Sequence, residues 1–302
     1  MRLLTGARVR LGRELLDRRG AIAILLYHRV ARLERDPQQL AVTPERFDEH
    51  LTALRATCTP VALADVPALL RARRLPPRPV AVTFDDGYRD NLHEAKPLLE
   101  RHGVPATVFV SSGYVGAGKE FWWDELERLL LPDDEEAYLE ALPRMKLMDV
   151  AQRERMLVEL RAKAGEPEGG APRGDYLAVD HDELRLLDGG AIEVGNHSRH
   201  HLSLAAHPEP VQREEIGSAA EDLAEWLGRP VELLAYPFGT PGVDVSRETR
   251  RLARRLGNRA AADNYGRLCT VTASRFALPR FLVRDWPGER FADWLEREVF
   301  AW

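Results

Sequence analysis

Cysteine is almost absent from this chain. Two in 302 residues, Cys58 and Cys269, cannot build a disulfide framework, and neither sits in a Cys-x-x-Cys pair that would signal a zinc-thiolate site. Both read as small packed thiols in a reduced compartment. Long apolar runs are missing too. The longest near the start, Ala21 to Tyr27, has strand length, well short of the ~18 residues of a membrane span. Basic charge is not in excess: 43 Lys and Arg stand against 48 Asp and Glu, for a net charge of −5. A pI near 6.0 makes no global case for a nucleic-acid partner. Arg18 and Arg19 precede the apolar stretch as in a leader, but Tyr27-His28-Arg29 follows where small residues would be needed for cleavage. The expectation is a protein not exported by a standard signal, cytoplasmic, with peripheral contact at the inner membrane surface. That contact would come from residues 1–20, which hold six arginines against Glu14 and Asp17. Leu3, Leu4, Ala7, Leu11 and Leu15 fall there at helical spacing. A first helix with a solvated basic face is the plainer reading of the same residues.

Hydrophobic content of 44% and mixed charge of 30% describe an ordinary globular protein. The pattern alternates short β-rich runs with helical stretches. Strands are expected at Ala21–Tyr27, Val80–Phe84, Ala106–Val110, Ala191–Gly195, Val231–Tyr236 and Arg259–Ala262. Helices are expected from Thr43-Pro44-Glu45, with threonine as N-cap, and over Asn91–His102, Asp180–Leu187, Val211–Leu227, Ser246–Leu256 and Phe291–Phe300. Gly103 and Gly228 end two of them, and Asp180 with Glu183 makes a capping-box pair. Such alternation gives an α/β protein with a parallel sheet and crossover helices. At this length a (β/α) barrel is expected over an open sheet, with 1–302 as a single unit. Residues 119–179 break the rhythm and read as a helical insertion, too small to be stable alone. Trp122 and Trp123 open it, either as a platform for a sugar ring or as packing anchors.

Four strand ends carry candidate chemistry, and active sites of parallel β/α proteins gather at such ends. Thr83-Phe84-Asp85-Asp86-Gly87-Tyr88 places two adjacent carboxylates that point different ways, so one can hold a metal while the other handles a proton. A plain Asp-Gly turn is the alternative. Asn196-His197-Ser198-Arg199-His200-His201 has three of the nine histidines. One helical turn would put His197 and His201 on one side. With one aspartate they form a His₂-carboxylate set that leaves coordination positions open, as catalytic zinc requires. Ala235-Tyr236-Pro237-Phe238-Gly239 and Leu26-Tyr27-His28 are weaker signals of the same kind. Arg250, Arg251, Arg254 and Arg255 read as a solvated helix face rather than a phosphate site.

Together these blocks resemble the polysaccharide deacetylase superfamily, carbohydrate esterase family four. The Thr-Phe-Asp-Asp-Gly, His-Ser-x-x-His and Tyr-Pro-Phe-Gly blocks match its first three motifs, and the resemblance spans roughly residues 20–290 outside the insertion. It implies a distorted (β/α) barrel with fewer than eight regular units. It also implies a metal-dependent hydrolase removing acetyl groups, most often N-acetyl, from an amino-sugar-containing saccharide or precursor. By that resemblance Asp85 is the base, and Asp86, His197 and His201 hold one divalent ion, most often Zn²⁺. The Phe238 N–H is the oxyanion donor. Two departures stand out. Ala235 occupies the place of the arginine that pairs with the base, for which Arg280 in Leu278-Pro279-Arg280 is the substitute. The Leu-x-His motif lies at the N-terminus, as in the circularly permuted poly-N-acetylglucosamine deacetylase branch, which makes His28 the acid. The alternatives weighed are an inactive saccharide-binding module, which Ala235 would favour, a non-haem iron oxygenase and a two-carboxylate glycosidase.

Overall fold

A computed structural model describes residues 20–300 except 73, 74, 132, 168 and 169. The basic segment expected to meet a membrane therefore lies, but for Gly20, outside the described residues. Among the described residues eleven strands are formed: β1 (Ala21–Tyr27), β2 (Arg29–Val30), β3 (Ala41–Val42), β4 (Thr59–Pro60), β5 (Pro79–Phe84), β6 (Ala106–Val110), β7 (Ile192–Asn196), β8 (Leu233–Ala235), β9 (Ala260–Ala262), β10 (Cys269–Thr270) and β11 (Phe281–Leu282). The main sheet runs β10-β1-β5-β6-β7-β8-β9. Only the β10 edge is antiparallel. The seven strands curve through 243°, an incomplete (β/α) barrel.

The reason for the curvature can be read along β1. All seven residues are buried, as in a strand covered on both faces. Ala23, Leu25 and Tyr27 pack outward on Phe47, Leu51 and Leu54 of helix Pro44–Thr57. Ile22 and Ile24 point inward, to Ala81, Phe109, Ala235, Ala260 and Ala262. Four alanines on the neighbouring strands leave room inside the curve for Ile22, Ile24 and Phe109.

Closure comes from a stretch whose strands are too short to show a sequence period. The Leu278 N–H donates to the Ala261 carbonyl (3.0 Å), and Leu278 O accepts from Asp263 N–H (2.9 Å). A few residues on, β11 pairs in parallel with β1, and Val283 N–H donates to Leu26 O (2.9 Å). One segment thus bridges the first and last parallel strands and carries Arg280 into the interior.

Several local expectations shift. β8 covers only Leu233–Ala235 of the expected Val231–Tyr236, and the Tyr236 ring packs away from the site with Leu204, Ile216 and Phe276. The closing helix starts earlier, at Gly288, and ends in a π-type turn over Leu295–Val299. Thr43 precedes its helix but does not cap it; its hydroxyl donates instead to Asp285 (3.0 Å). Arg251, Arg254 and Arg255 are exposed, as on a solvated helix face, while Arg250 pairs with buried Asp263.

The insertion consists of helices Trp122–Leu130, Glu135–Leu147 and Val150–Ala164 with a returning strap. The acidic stretch Asp133-Asp134-Glu135-Glu136 is a helix start: the Asp134 side chain accepts from Ala137 N–H, with Glu135 and Glu136 in the first turn. Phe121, Trp122, Trp123, Leu126, Tyr138 and Met145 form its core and dock on Tyr88 and Tyr114 of the barrel. Inside it, Arg161 forks onto Glu125 at 2.6 and 2.9 Å.

Candidate active site

Continuing the β1–β5 ladder, Asp85 N–H donates to Tyr27 O (3.1 Å). The chain then leaves the strand through two consecutive left-handed residues, Asp86 (φ +75°) and Gly87 (φ +87°). Glycine is needed at 87, since a Cβ there would lie 2.9 Å from the Val110 methyls. This turn separates the adjacent carboxylates. Asp85 faces Arg280, whose Nη1 and Nη2 donate to Oδ1 and Oδ2 at 2.6 and 2.7 Å. Asp86 faces the histidines.

Arg280 is fully buried and held on three sides. Its Nε donates to Asp263 O (3.0 Å) and its Nη1 also to Thr83 Oγ1 (3.3 Å). The missing arginine near Ala235 is thus replaced in space from the closing segment, 195 residues from Asp85. Ala235 serves the site through its backbone instead. Its carbonyl accepts from His197 Nδ1–H (2.9 Å), which fixes the tautomer and leaves the Nε2 lone pair free. Burial pushes the Asp85 carboxyl up, yet the Arg280 charge and its fork, with His197, hold it below the ordinary carboxylate range.

His197 and His201 do meet, though not on a helical turn. The chain from 197 to 201 is an irregular loop with left-handed Ser198 (φ +63°) and His201 (φ +53°). Asn196 Oδ1 accepts from Ser198 N–H, and Ser198 Oγ accepts from His201 N–H. The imidazole centroids end 4.9 Å apart. His201 Nε2 lies 3.4 Å and His197 Nε2 3.6 Å from Asp86 Oδ1. That oxygen is buried without a hydrogen-bond partner. Donors ~2 Å from a shared ion at tetrahedral angles sit ~3.3 Å apart, so this trio has a metal-ligand spacing. Burial keeps both imidazoles neutral, with His201 further lowered by His197. Two lone-pair nitrogens beside an unpartnered carboxylate oxygen are the donor set that a divalent cation satisfies.

The site floors a cleft of about 390 Å³. His28 lines it from the end of β1 with Nδ1 buried and unpartnered. Burial lowers His28 to about 4, with Asp85 opposing and Arg280 adding to the shift, so it rests neutral. Phe238 is left-handed (φ +59°), and among the described residues its N–H has no acceptor. The Phe238 ring meets His201 edge-on at 4.6 Å, with Lys146 Nζ 4.4 Å from its centre.

One part of the site escaped sequence reasoning. The insertion supplies Trp122, Trp123, Leu142, Pro143 and Lys146 to the cleft wall. Both tryptophans are buried, as packing anchors would be. Trp123 lies 4.6 Å from the His201 ring and donates Nε1–H to Tyr88 Oη (2.9 Å), and Tyr88 in turn donates to Asp124 Oδ2 (2.6 Å). The available signals were the Trp pair and the tyrosine directly after Asp-Asp-Gly; their union was not legible.

The polysaccharide deacetylase family model matches residues 72–136 and 170–261, just over half of the chain, and leaves out 137–169 within the insertion. The chain belongs to the polysaccharide deacetylase family. A Bacillus subtilis (strain 168) protein named for the same family, YxkH, is 30% identical over 99 residues, which is 32% of this chain and 33% of that protein. The chain thus matches about a third of the length of that curated relative. Among solved structures, the Streptococcus pyogenes deacetylase PplD in complex with acetate superposes with a TM-score of 0.64 at 18% identity, covering 91% of this chain and 97% of that one. IcaB from Ammonifex degensii gives 0.60 at 21% identity, with the same coverages. At such identities these likenesses show a shared fold. The three motif blocks fall at the ends of β5, β7 and β8, and β1, which runs into Leu-Tyr-His, stands beside β5.

Proposed function

We propose that this polysaccharide deacetylase is a metal-dependent hydrolase that removes N-acetyl groups from an amino-sugar-containing saccharide or saccharide precursor. One observation carries the reading. The buried, unpartnered Asp86 Oδ1 faces two neutral imidazole nitrogens, while the neighbouring Asp85 is held ionised by Arg280. Separated duties for adjacent carboxylates are what amide hydrolysis at one ion needs.

Asp86, His197 and His201 would hold the ion, zinc in this reading. A divalent ion there would supply Lewis-acid polarisation of the acetyl carbonyl and a lowered pKa for water. Asp85 then takes the proton of the attacking water, because its pairing with Arg280 keeps it a carboxylate. The free Phe238 N–H is set to donate to the developing oxyanion, a bond worth about 3 kcal/mol in such sites. His28 gives the leaving nitrogen its proton, since an amine anion cannot depart. Because His28 rests neutral, it must gain that proton during turnover, and the Asp85 charge is the neighbour that favours this. Aromatic and aliphatic walls from Trp122, Leu142 and Phe238, with Thr240 and Asn264 among the polar groups, suit a saccharide's mixed surface.

The test is acetate release from N- and O-acetylated sugars presented free, nucleotide-linked and polymeric. Release from N-acetyl members by wild type, and none by Asp85→Asn, supports the proposal. Sugar binding without release at full metal occupancy favours a binding module instead.

A further inference from the structure

We propose that Arg153, on the insertion, is a positioning residue for the metal-binding loop, so that the insertion is a working part of the metal centre. This rests on the reading of Asp86, His197 and His201 as ligands. Each buried backbone carbonyl along that loop needs a donor. His197 O accepts from Ser111 Oγ (3.2 Å), Ser198 O from Ser112 N–H (3.3 Å), and Arg199 O from Gly113 N–H (2.8 Å). These three donors belong to the barrel turn after β6. The next two carbonyls are served from elsewhere. His200 O and His201 O both accept from Arg153 Nη1, at 3.1 and 3.2 Å, and among the described residues they have no other donor.

The same guanidinium grips the far wall of the cleft. Nε donates to Met145 O (2.9 Å) and Nη2 to Lys146 O (3.1 Å), at the end of the helix that supplies Leu142, Pro143 and Lys146. Its carbon lies 4.5 Å over the Trp122 ring. Arg153 is 4% exposed, and all its hydrogen bonds go to carbonyls. A buried cation spent wholly on backbone oxygens organises chain rather than neutralising a carboxylate. His201 is where organisation is required: it is left-handed, its Nδ1 has no partner, and its ring direction depends on the loop. Losing Arg153 leaves the His200 and His201 carbonyls without a donor, the second of them buried and on the ligand itself, and frees the loop to relax away from Asp86.

The experiment measures Zn²⁺ and Co²⁺ affinity of the metal-free full chain by chelator competition, with the Co²⁺ visible spectrum as reporter of ligand geometry. Wild type, Arg153→Met, Arg153→Lys and Arg161→Met are compared. Arg161→Met is the control, because Arg161 is also a buried arginine of the insertion but bonds to Glu125 and Glu154, away from the loop. Arg153→Met should bind 10- to 100-fold more weakly, the usual cost of losing support behind a ligand, with a changed Co²⁺ spectrum. Arg161→Met should bind as wild type does. Arg153→Lys, which keeps a donor, should fall between and carries the test if the methionine variant does not fold. Wild-type affinity in both Arg153 variants, or an equal loss in Arg161→Met, overturns the inference. Failure of wild type itself to bind overturns the metal reading and the inference with it.

Discussion

Replacing Arg280 by methionine should expose how the barrel's closing segment and Asp85, the proposed base, depend on one another. Arg280 is fully buried and Asp85 is 3% exposed, and they are joined by two charge-assisted bonds of 2.6 and 2.7 Å. Removing one member leaves the other charge buried without compensation, a loss of about 3–5 kcal/mol. Removing both, in Arg280→Met/Asp85→Asn, leaves no stranded charge, so the double variant should be more stable than the sum of single losses by about 2–3 kcal/mol. The sign of the pH dependence is also set. In wild type the folded Asp85 pKa is depressed, so the pairing stabilises above the ordinary carboxylate value and is lost as the pH falls through the folded one. Without Arg280, burial dominates and Asp85 takes up a proton at higher pH. The deficit of Arg280→Met should therefore be largest near pH 7 and shrink toward pH 4. Guanidinium denaturation with a chelator present, at several pH values, measures both. Additive losses, or a deficit that does not change with pH, would rule out this coupling.

Other consequences follow from single residues. His50 is buried, donates Nε2–H to Trp286 O (2.7 Å), stacks 4.0 Å from the Phe291 ring, and is lowered by burial to about 4. The unfolded chain thus binds more protons below its ordinary value of 6.5, and stability should fall by up to about 3 kcal/mol between pH 6.5 and 4 on its account. In His50→Phe that slope should be shallower, as thermal melts across the range would show. Gly87→Ala should cost about 1–3 kcal/mol, since φ is +87° and the new Cβ would meet Val110; an unchanged melting temperature would be the contrary result. Tyr88→Phe removes the hydroxyl that joins Trp123 to Asp124, and should raise KM more than it lowers kcat, because Trp123 walls the cleft without touching the reacting proton path.

Much of the site was legible because its residues end strands with strong local signals. The Asp-Asp-Gly turn and the histidine cluster each follow an apolar run of strand length, and the fold brings them together as strand order dictates. The barrel was legible for the same reason. What escaped was non-local. β11 is two residues, too short for any periodicity, yet it pairs with β1 and with Leu278 against Ala261 closes the sheet. Arg280 was named as a candidate from its Leu-Pro-Arg context, but its partner lies 195 residues away and only the closure supplies it. The histidine loop was expected as a helical turn because four-residue spacing permits that; left-handed Ser198 and His201 reach the same meeting by another route. The break in the strand–helix rhythm placed the insertion but gave no hint that Arg153 reaches back to His200 and His201, since a guanidinium bonding to carbonyls leaves no charge partner in the sequence.

Whether the chemistry runs through a metal held by Asp86, His197 and His201 is decided by acetate release from Asp85→Asn and His201→Ala beside wild type, with bound metal measured in the same samples. We expect about one ion per wild-type chain, as a single three-ligand site would hold, and activity that returns when metal is restored to stripped protein. Asp85→Asn should keep its ion while losing turnover about 10²–10⁴-fold, and His201→Ala should lose the ion itself. Full activity in stripped protein would contradict a metal-dependent reaction. Equal metal loss in both variants would contradict the division of labour between Asp85 and Asp86.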